Sequence, residues 1–163
     1  MSGFFGKILI AAGMAATLSG AAMAADMPPS EVTTTYTVQG DFEDVRFALE
    51  NAIVNRGLVV DYVSHIGDML ARTGADLGAK KDIYTNAQSM LFCSAVLSRA
   101  AMEADPANIA FCPYGVFVYE TADNPGTVVV GYRNLTETGD EASKKAIADV
   151  NALLNDIVKE ASE

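Results

Sequence analysis

Basic residues are scarce in this chain. Eleven Lys and Arg stand against twenty-one Asp and Glu, giving a formal net charge of −10. A surface so biased repels phosphate backbones and anionic lipid heads, so nucleic acid is excluded as an expected partner. Histidine and cysteine are scarcer still, with one His65 and two thiols, Cys93 and Cys112. No C-x-x-C, H-x-x-x-H or C-x-x-C-H spacing is present, which removes the compact zinc, thioredoxin-type and c-haem patterns. The sequence also lacks G-x-G-x-x-G, a Walker loop, G-x-S-x-G and H-E-x-x-H. The common nucleotide, hydrolase and zinc-protease templates therefore have no place in it. Nothing repeats internally, and no stretch is of low complexity.

The N-terminus reads MSGFFGKILIAAGMAATLSGAAMAADMPPS. One charge, Lys7, precedes an apolar stretch from Ile8 to about Leu18, and Ala22-Met23-Ala24 supplies an A-x-A cleavage signal. Residues 1–24 are expected to be a signal peptide of the Gram-negative style, leaving a periplasmic chain with no stable membrane insertion. The run continues to Ala25, near the length of a membrane span, but it is rich in Ala and Gly and ends in Asp26 and two prolines instead of a basic stop-transfer cluster. The leader holds one of the eleven basic residues and none of the twenty-one acidic ones, which puts the mature chain at −11. Residues 25–31 read as a linker and 32–163 as a single domain, large enough for one core.

Residues 32–40 are rich in β-branched side chains and predict a strand. Asp41 has the position of a helix N-cap, with Glu43 and Asp44 in the first turn and Phe42, Val45, Leu49, Ala52 and Ile53 on one face. Gly57 ends this helix. A second strand follows from Leu58 through Ile66, then a weak helical turn containing Gly67, Gly74 and Gly78. The continuous apolar run 89–97, SMLFCSAVL, predicts a third strand buried on both faces. Ser98 is expected to cap a short helix that Asp105-Pro106 stops. Strands at 113–120 and 127–134 form a hairpin around Asn124-Pro125-Gly126. The last helix spans about 140–161, with Ala146, Ile147, Val150, Leu153, Leu154, Ile157 and Val158 on its apolar face. The fold class is α+β: a two-layer domain with a mostly antiparallel sheet, helices on one face, in the order strand-helix-four strands-helix.

The segments FEDVRFALENAIVNRGLVV, MLFCSAVLSRAAMEADPANIAFCPYGVFVYE and VVVGYRNL resemble the domain of unknown function 302 family. The likeness covers roughly residues 32–136. It lies in a helix ending in RG, an apolar strand, a D-P turn, a strand opening at Pro113 and ending in VYE, and a GYR strand. The resemblance implies a TATA-binding-protein-like arrangement and brings no reaction with it. Phe92-Cys93 and Cys112-Pro113 stand where many relatives have FG or FC and LP, so the chain resembles an exported, cysteine-bearing branch.

Three readings of the thiols remain open from sequence. In the periplasm two cysteines usually close a disulfide. If 89–97 and 111–120 are antiparallel neighbours with Leu97 opposite Asn108, Cys93 falls opposite Cys112, within bridging range. Alternatively Cys93, Cys112 and His65, with Met90 or Met102 nearby, offer soft donors for copper, zinc or haem. Redox-active dithiol chemistry is the third, with Arg99 and a helix start lowering the Cys93 pKa. Asp61, Asp68, Asp76, Glu103 and Asp105 could contain a carboxylate pair but read first as a solvated face. Tyr114, Tyr119 and Tyr132 are hairpin packing residues that can also line a pocket. No particular cofactor is indicated. The favoured expectation is a non-catalytic module that binds a small ligand or periplasmic protein and can form a homodimer. The alternative is a thiol-based site using Cys93, Cys112 and His65.

Overall fold

A computed structural model describes residues 32–163; the expected leader and linker lie outside the described residues. The first strand, β1 (Thr33–Gln39), leads into α1 (Phe42–Val54). Asp41 caps that helix as expected, its carboxylate accepting the N–H groups of Glu43 and Asp44. β2 (Val60–Ser64) and α2 (Ile66–Gly74) follow, then β3 (Tyr84–Phe92), α3 (Ala95–Ala104) and a 3-10 segment, Pro106–Phe111. A hairpin of β4 (Tyr114–Thr121) and β5 (Thr127–Arg133) precedes α4 (Glu141–Glu160).

The five strands form one antiparallel sheet in the order β1-β5-β4-β3-β2. Alternation along the central strands sorts the side chains onto two faces. Val116 and Val118 of β4, Val128 and Val130 of β5, and Met90 and Phe92 of β3 are buried on one face. There they meet the Leu49 and Ile53 side of α1 and the Ile147, Val150, Leu154 and Ile157 side of α4, so one continuous core fills the gap. α3 packs against α4 at the end of this layer.

Two polar side chains tie α4 to the segment after β5 and to α3. Asn151 answers both backbone groups of Leu135, accepting its N–H and donating to its carbonyl, each at 2.9 Å. Buried Asn108, in the 3-10 segment, donates to Ala101 O at 2.8 Å and Ser143 Oγ at 2.9 Å. Every buried polar donor there is thus matched, as a dry interior requires.

The strand-helix order expected from sequence is present, with one sizeable difference. The apolar run 89–97 is not one strand: β3 begins earlier, at Tyr84, and ends at Phe92, and residues from Ala95 onward are helical. Ser94, not Ser98, is the N-cap, its Oγ accepting the Leu97 N–H at 3.4 Å. Ala, Leu, Arg, Met and Glu dominate 95–104, and their helix propensity prevails once Ser94 starts the turn. The weak helical insert is a true helix, α2, and it lies over the other face of the sheet. A Cβ on Gly67 would sit 2.8 Å from the Ala87 backbone N, so only glycine lets α2 approach this closely. Replacing Gly67 by Ala is expected to lift the start of α2 from β3, read as faster amide exchange over residues 66–74 with little change at α4.

Candidate functional site

The two thiols meet at the end of the sheet. Cys93 follows the last residue of β3, and Cys112 precedes β4 after a 3-10 segment whose start is capped by Asp105, with Asp105 Oδ1 accepting the Ala107 N–H at 2.9 Å. The Cys112-Pro113 peptide is cis. Their Sγ atoms are 3.0 Å apart across 19 positions of sequence, and both are free thiols in this structure. The expected register is corrected here. β3 and β4 pair Phe92 with Tyr114 and Leu91 with Gly115, so Leu97 is not opposite Asn108 and continued pairing sets Cys93 opposite Pro113. Leu97 sits in α3 and Asn108 in the 3-10 segment. The thiols come together beyond the strand ends, where the chain turns into α3 and returns from it.

Ser98 and Tyr114 complete the cluster. Ser98 Oγ lies 3.6 Å from Cys112 Sγ and donates to Tyr114 Oη at 3.1 Å. The Tyr114 ring meets Phe92 edge to face at 6.3 Å, anchoring the phenol in the core. Burial, the largest cause, raises the Tyr114 pKa; the Ser98 bond opposes the rise and the neighbouring thiols add to it. The Cys93 thiol is pushed up to about 11, first by desolvation, then by its hydrogen bond and charge coupling with Cys112, and last by Asp61. Asp61 is the extra residue of a bulge in β2, between the Val60 and Tyr62 pairings.

Cys93 is therefore not an activated nucleophile in the reduced protein. The shift has a direct reading: alkylation of Cys93 in reduced, folded protein should be slow near neutrality and rise with an apparent pKa near 11, against about 8.5 for an unfolded thiol. Mass-resolved iodoacetamide kinetics between pH 7 and 11 measure this. A folded-state midpoint below about 8 would contradict the environment described.

The other sequence candidates are dispersed. His65 occupies the N-cap position of α2 without a capping bond, its Nδ1 3.7 Å from Asp68 Oδ2. Ser64 pairs with Ser89, so His65 lies level with Gln88, five positions before Cys93 and about 17 Å from it along the sheet. Among the described residues no group of three or more His, Cys, Asp or Glu side chains is arranged to hold a metal ion. Met90 is fully buried in the core, and Met102 lies on α3.

Arg99 pairs with Glu103 at 2.8 Å on the exposed side of α3, and so is committed to its own helix. Asp68 faces His65, Glu103 faces Arg99 and Asp105 caps a turn, so these three of the five carboxylates serve pairing and capping. Tyr132 is buried on β5 opposite Val116.

Sequence reasoning passed over Glu120. It is buried, and its Oε1 accepts the Gly126 N–H at 2.6 Å while its Oε2 accepts from Asn86 at 3.4 Å. This carboxylate holds the hairpin loop closed, and the nearby Asn124-Pro125-Gly126 turn was the one signal for it.

The sheet face away from α1 and α4 is the other concave feature. Phe117 and Tyr119 stack at 6.1 Å, and Tyr84 meets Tyr119 edge-on at 5.5 Å. Two hollows flank Phe117. One of 260 Å³ holds Gly115, Leu91 and Arg133, and one of 330 Å³ is bordered by Ile66, Tyr84 and Tyr119. No helix of the described residues is long and apolar enough to cross a membrane.

Comparison with known proteins agrees with this architecture. No curated protein matches the chain. The crystal structure of an uncharacterized conserved DUF302 protein from Bacillus stearothermophilus superposes with a TM-score of 0.67 at 17% identity, covering 81% of this chain and 99% of that one. At that identity the likeness establishes the fold. The family model described as domain of unknown function DUF302 matches residues 34–161, which is most of the chain and all but the ends of the sheet-and-helix domain. The chain belongs to the DUF302 family.

Proposed function

We propose that this protein is a non-catalytic binding module of the periplasm, exported by a cleaved leader and held by a Cys93-Cys112 disulfide. The observation that carries the reading is the 3.0 Å approach of two thiols with Cys93 kept protonated. Cys93 is thereby a poor resting thiolate, while the closeness of the two sulfurs leaves the pair well placed to be bridged. In an oxidising compartment a disulfide donor exchanges with the pair through a mixed disulfide. The second thiol then displaces the donor, which leaves with both electrons as a dithiol. The bridge ties the start of α3 to the start of β4. Binding is assigned to the open sheet face, where aromatic side chains and two hollows offer contact area; a small ligand or a periplasmic protein is the partner class.

The A-x-A signal at Ala22-Met23-Ala24 supports export. Expressed with its leader in a Gram-negative host, the protein should fractionate with the periplasm, and its intact mass should correspond to a chain starting at Ala25. Full-length protein retained in the cytoplasm or inner membrane would overturn the assignment. The alternative, a metal or haem site built from Cys93, Cys112 and His65, gains no support from the distance separating His65 from the thiols.

A further inference from the structure

We infer that the open sheet face binds a small apolar carboxylate, with Arg133 receiving the charged end and the Phe117-Tyr119 strip receiving the hydrocarbon. The inference rests on reading the protein as a binding module and names the ligand class of that face.

The β4-β5 register pairs Val116 with Tyr132, so one step further Gly115 lies beside Arg133, and on its other side Gly115 pairs with Leu91. A side chain at 115 would project into the hollow; a Cβ there would already meet Leu91 Cδ2 at 3.1 Å. The missing side chain leaves a floor of 260 Å³ walled by Leu91, Pro113 and Phe117, with Phe111 and Leu135 closing the end. Its lining contains no carboxylate, although the chain carries twenty-one acidic residues.

Arg133 is exposed on a strand, and no described carboxylate lies within ion-pair distance of it. Arg46, Arg56 and Arg99 are each paired with glutamate, whereas Arg72 and Arg133 are not, and of these two it is Arg133 that lines the 260 Å³ hollow. A guanidinium left open beside apolar walls recognises a carboxylate with two parallel hydrogen bonds.

The hydrocarbon direction follows from the neighbouring hollow. It shares Ser89 and Phe117 with the first and continues along β4 to Tyr119, ending under Ile66 of α2. Gly115 to Tyr119 is four strand residues, about 13 Å. Charge at one end and an apolar track of that length fit an aliphatic monocarboxylate better than a compact dianion or a polar sugar.

Calorimetric titration of the exported, folded protein with octanoate, and separately with 1-octanol, tests this. One saturable octanoate site is expected. Arg133→Gln should weaken octanoate on the order of tenfold and leave 1-octanol unchanged. Phe117→Ala should weaken both. Because Arg133 is exposed, an unchanged Tm is expected for R133Q and certifies its fold. Absence of saturable octanoate binding, or equal loss of both ligands in R133Q, overturns the inference. So does octanoate binding that appears only when residues 25–31 are deleted, which would give the face to the chain's own N-terminal segment, or only on dilution of a dimer. The thiol state of the same sample is read independently, so a failed titration with bridged cysteines removes the ligand assignment and leaves the stapled module standing.

Discussion

Serine at both Cys93 and Cys112 should lower the stability of the oxidised protein by roughly 3 kcal/mol, the chain-entropy value for closing a loop of this length. For a domain of this size the shift in Tm is about 10 °C. The cost arises in the unfolded state, which regains the freedom of the segment containing α3 and the 3-10 turn. Reduced wild type and the double mutant should therefore melt close together, while oxidised wild type melts higher. Calorimetry of the three samples in parallel makes the comparison. Equal melting of all three would mean that the thiols touch without stapling anything. The mutant should still fold, because the core between the sheet and α1 and α4 contains neither cysteine.

Gly131→Ala should destabilise by about 2 to 3 kcal/mol, the upper part of the range for overpacking. A Cβ at 131 would lie 2.6 Å from Thr34 O, 2.7 Å from Phe117 Cζ and 2.8 Å from Thr35 Cγ2. The first of these is backbone of β1, so relief requires the β1-β5 ladder to spread. The second displaces the aromatic ring that separates the two hollows on the open face. The variant should thus lose stability and octanoate affinity together, whereas R133Q loses affinity alone. Urea unfolding combined with the same titration separates the two effects. Wild-type stability in G131A would show that the close packing of Phe117 over β5 is not a constraint.

Much of the architecture was legible because local signals agreed with one another. α1 has its aspartate cap, Asp41, α1 and α4 both carry apolar residues at helical spacing, and the two hairpin strands flank an Asn124-Pro125-Gly126 turn. The β3-α3 boundary was not legible. Phe92, Cys93, Ala95, Val96 and Leu97 are apolar without a clear period, so the run reads as one strand and the cap falls to Ser98 instead of Ser94. Burial of Phe92 at the end of the sheet decides where the strand ends. The thiol pair was found from residue type and compartment, but its register was displaced by one position, since the contact depends on two turns beyond the ladder. Arg133 was quoted within GYRN without being singled out. Its isolation from carboxylates and its place beside Gly115 are consequences of strand pairing, which one sequence does not encode locally.

The central claim, that Cys93 and Cys112 are bridged in the exported protein, is tested most directly by non-reducing tryptic mapping after alkylation at acid-quenched harvest. The account predicts a single cross-linked species joining peptide 82–99 to peptide 100–133, which separates into two on reduction. Recovery of both peptides already alkylated at Cys93 and Cys112 before reduction would contradict it.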